Sequence, residues 1–240
     1  SLPFRRCRRL LEVGSGVGAQ TEILLRTFPD LHVTSVEASP SNLEAARRHL
    51  DGQPWLQGRY EATQGDAHAL DFEAARFDGA YLCWILEHVH DPARVLSEVR
   101  RCLRPGAPIV ANEVQNATFF LSPYSPHTLQ YWSAFNDHQL ELGGDPFVGA
   151  KLGNLLQRVG FEDIVTEVRT VHLDNRQPAE RAEFIEFWTD LLLSGCEALR
   201  EAGKVADETV AGMQGELREV ARDPDAVFFY SFVQARARTR

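Results

Sequence analysis

The segment that most constrains the fold is a short apolar run followed at once by three closely spaced glycines. Residues 10–18 read Leu-Leu-Glu-Val-Gly-Ser-Gly-Val-Gly, and a helical pattern begins at Ala19. Glycine permits turns too tight for a side chain, so this pattern predicts a buried strand, a glycine turn and a helix. In that arrangement, backbone N–H groups and a helix N-terminus face a ligand. We therefore expect a nucleotide-like cofactor at this turn.

The glycine turn alone leaves the class of cofactor open. Gly14, Gly16 and Ala19 satisfy the dinucleotide pattern G-x-G-x-x-G/A, and Glu37 has the spacing expected for a ribose contact. That match is weak by itself. Glu12, two residues before the first glycine, would face a cationic or hydroxyl-rich part of a ligand. No tyrosine is followed by a lysine four residues on, which disfavours a dehydrogenase.

Three further motifs narrow the choice. They are Gly65-Asp66-Ala67, the segment from Asp78 to the Leu-Glu-His that ends at His88, and Leu103-Arg104-Pro105-Gly106-Ala107. With the glycine turn and Glu37, these motifs resemble the class I S-adenosylmethionine-dependent methyltransferases, in particular the small-molecule branch related to ubiquinone and menaquinone methyltransferases. The resemblance covers about residues 9–115. It departs from the family at Ala107, where glycine is usual.

The resemblance implies S-adenosyl-L-methionine as the cofactor and a set of residues that hold it. Glu37 matches the family's acidic ribose contact, and Gly65 to Ala67 match its adenine contact. The cofactor-binding residues implied in this way are Glu12, Gly14, Gly16, Gln20, Glu37, Ala38, Asp66, Ala67, Cys83 and Trp84.

The hydrophobic pattern alternates strands with helices, which implies right-handed crossovers and a mostly parallel sheet. Strands are predicted at residues 9–13, 32–37, 60–64, 77–84, 107–113, 164–173 and 226–236, and helices at 19–27, 41–49, 92–101, 149–159, 178–193 and 207–221. The expected fold is α/β: a Rossmann-like, doubly wound, seven-stranded sheet with an antiparallel last strand and helical lid insertions. We expect a single domain over residues 1–240, with its cofactor-binding half at 9–113.

Two stretches exceed what the sheet requires, residues 114–148 and 174–225. Connections of this length are usually functional or carry structure of their own. The first follows the fifth strand, and ligands of doubly wound sheets bind beyond the carboxyl ends of the strands. We therefore expect both stretches to form lids on the substrate side, with Tyr124 and Trp132 binding an apolar, ring-bearing small molecule. Ordinary core packing is the alternative for any single aromatic residue.

Methyl transfer to a hydroxyl, an enolic carbon or an ammonium can require a base. His88 and His138 are the catalytic candidates, and His127 is a further option. A structural role for His88 within the Leu-Glu-His segment is equally open. No Asn/Asp-Pro-Pro-Tyr follows the fourth strand, which disfavours methylation of a base or amide nitrogen. With only two lysines, Lys151 and Lys204, and no metal-spaced cluster of Asp and Asn, we expect no metal.

Composition excludes several partners. The net charge is −9, from 34 acidic and 25 basic residues, and binding a phosphate backbone needs clustered positive charge, so we expect no nucleic acid. No apolar run approaches the roughly 18 residues of a membrane span. The first residues lack the apolar core of a signal peptide, and the four cysteines are widely spaced, so we expect free thiols and a cytoplasmic location. Since relatives carry helices before the first strand, we expect the natural N-terminus to lie upstream of Ser1.

Three functional hypotheses stay open at this point. The first is a methyltransferase acting on a small molecule at oxygen, nitrogen or carbon. The second is an NAD(P)-dependent oxidoreductase using the same glycine turn. The third is a descendant that binds S-adenosylmethionine without transferring its methyl group. The motifs of the cofactor half would be the same for the first and the third.

Overall fold

The computed structural model describes residues 2–240, which divide into two compact units. Unit 1 comprises residues 2–114, 148–167 and 233–240. Unit 2 comprises residues 115–147 and 168–232. Unit 1 thus contains the predicted cofactor half, and most of unit 2 comes from the two stretches that exceed the sheet. No helix among the described residues is both long and apolar enough to cross a membrane.

Unit 1 is built on a parallel sheet in which β1 is central. The strands are β1 (Arg9–Val13), β2 (His32–Glu37), β3 (Tyr60–Gln64), β4 (Gly79–Cys83) and β5 (Pro108–Val114). They lie in the order β3-β2-β1-β4-β5, and the second half of β8 (Val227–Arg238) follows β5. Every residue of β5 is buried, as expected for parallel strands that are covered on both faces. The predicted α/β, Rossmann-like fold is confirmed.

Side chains of β1 alternate between two hydrophobic clusters. Leu11 and Val13 pack into one cluster with Leu82, whereas Leu10 packs into the other with Val33. Because successive residues of a strand point to opposite faces, each cluster covers one face of the sheet. Glu12 therefore occupies an interior position on the same side of the strand as Leu10.

Side chains cap two of the four α-helices in the described part of unit 1. They are α1 (Ala19–Thr27), α2 (Pro40–Asp51), α3 (Pro92–Cys102) and α5 (Leu152–Arg158). The Ser39 hydroxyl accepts the N–H of Asn42 at 3.3 Å, and the Asp91 carboxylate accepts the N–H of Arg94 at 2.9 Å. Each of these side chains thereby satisfies a backbone N–H group that has no acceptor within the helix. The helix predicted at 149–159 differs, since it begins with a 3₁₀ turn at Val148–Lys151.

Unit 2 is mainly helical. It contains α4 (Pro126–Glu141), α6 (Pro178–Ser194), α7 (Cys196–Glu201) and α8 (Asp207–Arg222), with α8 packed against α4 and α6. The short strand β6 (Phe120–Ser122) pairs antiparallel with the first half of β8. β7 (Glu162–Leu173) and β8 contribute residues to both units. Residues 2–240 therefore form eight strands, one more than the seven predicted, because the three residues of β6 are too few to show an alternating pattern.

Candidate functional site

A cavity of about 570 Å³ lies at the carboxyl ends of β1, β2, β3 and β4 in unit 1. Nine of the ten residues predicted to hold a cofactor line it, and so does His88. These nine are Gly14, Gly16, Gln20, Glu37, Ala38, Asp66, Ala67, Cys83 and Trp84. The tenth, Glu12, is not among the lining residues. The edge of the sheet that the topology rule assigns to ligands is thus the edge that holds the cavity.

The floor of the cavity is the glycine turn after β1. Gly14, Gly16 and Gly18 have φ of 75°, 53° and 85°, values that side chains rarely tolerate. A Cβ on Gly14 would lie 2.6 Å from Cδ1 of Ile85, whereas a Cβ on Gly16 would meet no atom within 4 Å. Gly14 is therefore required by packing as well as by conformation. Gly16 leaves its backbone open to the cavity.

Glu37, at the end of β2, is held by two backbone groups. Its Oε2 accepts the N–H of Gly16 at 2.8 Å, and its Oε1 accepts the N–H of Ser39 at 2.9 Å. The side chain is mostly buried and lines the cavity. Each carboxylate oxygen can accept a second hydrogen bond. The carboxylate of Glu37 is therefore fixed in place and still able to accept hydrogen bonds from hydroxyl groups.

Glu12 lies in the interior instead. Its side chain is 2% exposed, and its Oε2 accepts a hydrogen bond from the Thr21 hydroxyl at 2.6 Å. Burial raises the pKa of Glu12 to about 7, an effect that the Thr21 bond partly offsets. Thr21 belongs to α1, so the pair joins β1 to the helix that follows the glycine turn. Direct contact of Glu12 with a ligand stays a prediction.

Asp66 lines the cavity after β3, and β3 is separated by β2 from the strand that precedes the glycine turn. Its Oδ1 accepts the backbone N–H of His68 at 2.9 Å and lies 2.8 Å from Nδ1 of the same residue. These two contacts lower the pKa of Asp66, and the backbone hydrogen bond has the larger effect. Asp66 therefore keeps Oδ2 for a ligand while Oδ1 holds the loop.

His68 and His90 are cavity residues that the sequence analysis missed. Their rings stack with centroids 4.2 Å apart, and both line the cavity beside Asp66. The Gly-Asp-Ala motif ends one residue before His68, and His90 lies beyond the Leu-Glu-His segment. The one sequence signal was that a histidine lies close to the end of each of these two motifs.

A series of three side-chain hydrogen bonds holds Gln20 in place. The Tyr81 hydroxyl donates to Oε1 of Gln20 at 3.3 Å, and Nδ2 of Asn112 donates to that hydroxyl at 3.0 Å. Nε2 of Gln234 then donates to Oδ1 of Asn112 at 2.8 Å. Burial raises the pKa of Tyr81, so its hydroxyl stays protonated and able to donate. Side chains of β4, β5 and β8 therefore fix the position of Gln20 in the cavity wall.

Cys83 and Trp84 end β4 at the cavity. Burial raises the pKa of Cys83 to about 12, so the thiol stays protonated and is a poor nucleophile. Trp84 has φ of 55°, which ends the strand, and its N–H donates to the carbonyl of Asn112 at 2.9 Å. Both residues therefore shape the wall of the cavity.

His88 completes that wall. Its Nε2 lies 3.1 Å from Oε1 of the largely buried Glu87, and the His88 side chain is 61% exposed. The Glu87 carboxylate raises the pKa of His88 above its ordinary value, against the opposing effect of burial. The imidazole of His88 is therefore placed to exchange a proton with a molecule in the cavity.

The remaining predicted residues, Tyr124, Trp132 and His138, belong to unit 2. Trp132 is 8% exposed, and its ring centroid lies 5.5 Å from that of Trp188. Its indole N–H donates to the carbonyl of Asn116 at 3.0 Å. Trp132 therefore packs in the core of unit 2, whereas Tyr124 is 79% exposed. His138 lies half-buried near the end of α4.

His127, the further option for a base, has a structural partner. Its Nδ1 lies 2.8 Å from Oε1 of Glu216, and the same carboxylate accepts the backbone N–H groups of His127 and Thr128. Glu216 therefore caps the start of α4 from α8. The imidazole of His127 contacts the same carboxylate.

Comparisons with known proteins agree with the motifs. A family model described as a methyltransferase domain matches residues 11–111. The O-methyltransferase cnsE of Penicillium expansum is 33% identical over 162 residues, which cover 67% of this chain and 54% of the relative. The ubiquinone biosynthesis O-methyltransferase of Cereibacter sphaeroides is 35% identical over 165 residues, which cover 68% of this chain and 63% of the relative.

Among solved structures, phosphoethanolamine N-methyltransferase 2 of Haemonchus contortus, in complex with phosphomonomethylethanolamine and S-adenosylhomocysteine, has a TM-score of 0.61. It is 17% identical and is matched over 99% of this chain and 50% of its own, so the likeness concerns the fold. Both O-methyltransferase matches cover less than two thirds of the relative's own length.

Proposed function

This chain belongs to the class I S-adenosylmethionine-dependent methyltransferases, whose cofactor is S-adenosylmethionine, and from that premise we propose that it methylates an oxygen atom of a small, ring-bearing molecule. The observation that carries the proposal is the cavity of unit 1. The glycine turn, the fixed carboxylate of Glu37 and the carboxylate of Asp66 line it at the carboxyl ends of β1, β2 and β3, which are successive neighbours in the sheet. An amino acid, a ribose and a base follow one another in the same order in this cofactor.

The residues present fit the cofactor. Gly16 exposes its backbone because a Cβ there would meet nothing within 4 Å, and this open surface suits the amino-acid end. Glu37 would accept the ribose hydroxyls on the lone pairs left by Gly16 and Ser39. Asp66 and Ala67 would hold the adenine. Gln20, Ala38, Cys83 and Trp84 would complete the walls.

When bound, S-adenosylmethionine supplies a methyl group on a positively charged sulfur, which an electron-rich atom can attack. The protein's task is to hold the acceptor in line with that group, and positioning of this kind can supply much of the acceleration. A hydroxyl acceptor must also lose its proton. His88 would take that proton, because its imidazole lines the cavity and its neighbour Glu87 raises its pKa. His138 would be the second candidate.

Oxygen is favoured as the acceptor atom because both sequence relatives described above are named O-methyltransferases. A ring-bearing acceptor is favoured by the aromatic content of residues 114–148 and 174–225, which form most of unit 2. Tyr124 is the candidate substrate contact with an accessible ring. Trp132 would act mainly by supporting the rings around it. Residues 114–148 and 174–225 would thus select the acceptor.

The test is transfer of an isotopically labelled methyl group from S-adenosylmethionine to a panel of small hydroxylated ring compounds, read by mass spectrometry. The proposal expects the label on an oxygen of at least one compound. Label on nitrogen or carbon would overturn the oxygen assignment. A protein that binds the cofactor but transfers the label to nothing in the panel, nor to compounds extracted from its source, would overturn methyl transfer itself.

A further inference from the structure

Glu113, the penultimate residue of β5, is a buried acid that the proposed reaction does not use. Its side chain has no exposed surface. Oε1 accepts the backbone N–H of Ile85 at 3.3 Å and that of Leu86 at 3.1 Å. Oε2 is buried and has no hydrogen-bond partner among the described residues. Burying a carboxyl group with an unpaired oxygen costs free energy of folding. The contacts of Glu113 with the neighbouring turn therefore need an explanation.

The turn that Glu113 contacts has a shortage of acceptors. It follows β4 and contains the 3₁₀ helix Leu86–His88. The first N–H groups of a helix have no acceptor within the helix, and the apolar side chain of Ile85 cannot provide one. Asn112 accepts the N–H of Trp84 through its carbonyl, and Glu113 accepts the next two. The end of β5 thus caps this turn from a neighbouring strand.

The same turn is a wall of the cofactor cavity. Trp84, Ile85 and His88 all line the cavity. Ile85 also packs closely over Gly14, since a Cβ there would lie within 2.6 Å of it. Any movement of the turn would therefore shift the wall relative to the glycine turn and displace His88.

We propose that Glu113 is a positioning residue of the cofactor site: its carboxyl oxygen fixes the turn from Ile85 to His88 against the glycine turn and thereby sets the affinity for the cofactor. The proposal rests on the proposed function, since it takes the cavity of unit 1 as the cofactor site. Glu113 acts through the turn and touches neither the cofactor nor the acceptor.

The protonation state of Glu113 suggests the best substitute. Burial, and then the nearby charge of Glu87, raise the pKa of Glu113 well above its ordinary value, against three backbone N–H contacts that lower it. Burial therefore favours the protonated, neutral form of Glu113, in which Oε1 remains an acceptor. Glutamine has the same length, is neutral, and keeps an oxygen that can occupy the position of Oε1.

The experiment measures the affinity for S-adenosylhomocysteine by calorimetry and the melting temperature of each variant. Glu113→Ala should weaken binding by about tenfold or more, because two buried N–H groups lose their acceptor. Glu113→Gln should remain within about threefold of the parent. If Glu113→Ala does not fold, Glu113→Asp replaces it, since the shorter carboxyl withdraws the acceptor and should weaken binding in the same direction.

Glu216→Ala is the matched control. Glu216 also accepts two backbone N–H groups at the start of a helix, but it belongs to unit 2 and does not line the cavity. Its loss should lower the melting temperature and leave the affinity unchanged. Parent-like binding by Glu113→Ala, or equal damage from Gln and Ala, would overturn the inference. A parent protein that fails to bind S-adenosylhomocysteine would instead overturn the proposed function.

Discussion

The two units use their polar and aromatic residues in opposite ways. In unit 1, polar groups such as Glu37, Asp66 and Gln20 are fixed by neighbours and still face a cavity. In unit 2, polar groups such as Glu216 hold helices, and the rings of Trp132 and Trp188 pack on each other. A motif built on backbone conformation therefore indicates a binding site, whereas a surplus of aromatic residues is equally compatible with a binding site and with a core.

Removing the ring of Trp132 tests whether the aromatic residues of unit 2 form a core. Trp132→Ala should reduce the free energy of unfolding by about 3–5 kcal/mol, because it removes a buried ring and leaves a cavity. Tyr124→Ala, the exposed control, should change it by no more than about 0.5 kcal/mol. Chemical denaturation measures both. A stable Trp132→Ala with impaired turnover would make Trp132 a substrate contact and not a core residue.

The next effect concerns the proposed base of unit 1. His88→Ala should lower the turnover rate by roughly 10²–10⁴-fold while cofactor affinity is largely retained. A base must be neutral, so the parent rate should rise with pH through the pKa of His88, which Glu87 raises. Glu87→Gln should lower that pKa and move the rise to lower pH. An unchanged rate in His88→Ala would leave His88 with a structural role.

The glycine turn should respond to a single methyl group. Gly14→Ala combines an unfavourable φ of 75° with a Cβ only 2.6 Å from Ile85, so affinity for S-adenosylhomocysteine should fall by roughly a hundredfold. Gly58→Ala is the control. Gly58 has a similar φ of 74°, no atom within 4 Å of its Cβ and no place in the cavity. If both variants bind equally well, the turn does not form the cofactor site.

A smaller effect is expected at Glu37. Removing its carboxylate leaves the N–H groups of Gly16 and Ser39 without acceptors and withdraws the partner of the ribose hydroxyls. Glu37→Ala should therefore weaken cofactor binding by roughly 1–3 kcal/mol with the fold intact. Glu44→Ala, which removes an exposed ion pair with Arg48 on α2, should have no effect on binding. Unchanged affinity in Glu37→Ala would assign the ribose to another residue.

Much of the fold could be predicted from the sequence because its signals are local. β1 was predicted at residues 9–13, as observed, since an apolar run ends abruptly at Gly14. β4 was predicted as 77–84 but spans Gly79–Cys83, because Trp84 adopts a positive φ that its side chain does not announce. β6 was missed because a three-residue strand depends on its pairing with β8.

The site was harder to predict where its support comes from distant parts of the chain. Asn112 and Gln234 are 122 residues apart, yet their hydrogen bond fixes Gln20 through Tyr81. No local pattern links such residues. Glu113 likewise lies near the end of β5, and only the structure shows that its carboxyl caps the turn after β4.

Calorimetry with S-adenosylhomocysteine and NADH is the decisive test of whether the cavity of unit 1 holds S-adenosylmethionine. We expect saturable binding of S-adenosylhomocysteine by the parent, roughly hundredfold weaker binding by Gly14→Ala, and no heat with NADH. Binding of NADH with none of S-adenosylhomocysteine would contradict it. So would S-adenosylhomocysteine binding that Gly14→Ala leaves unchanged, since the ligand would then lie outside this cavity.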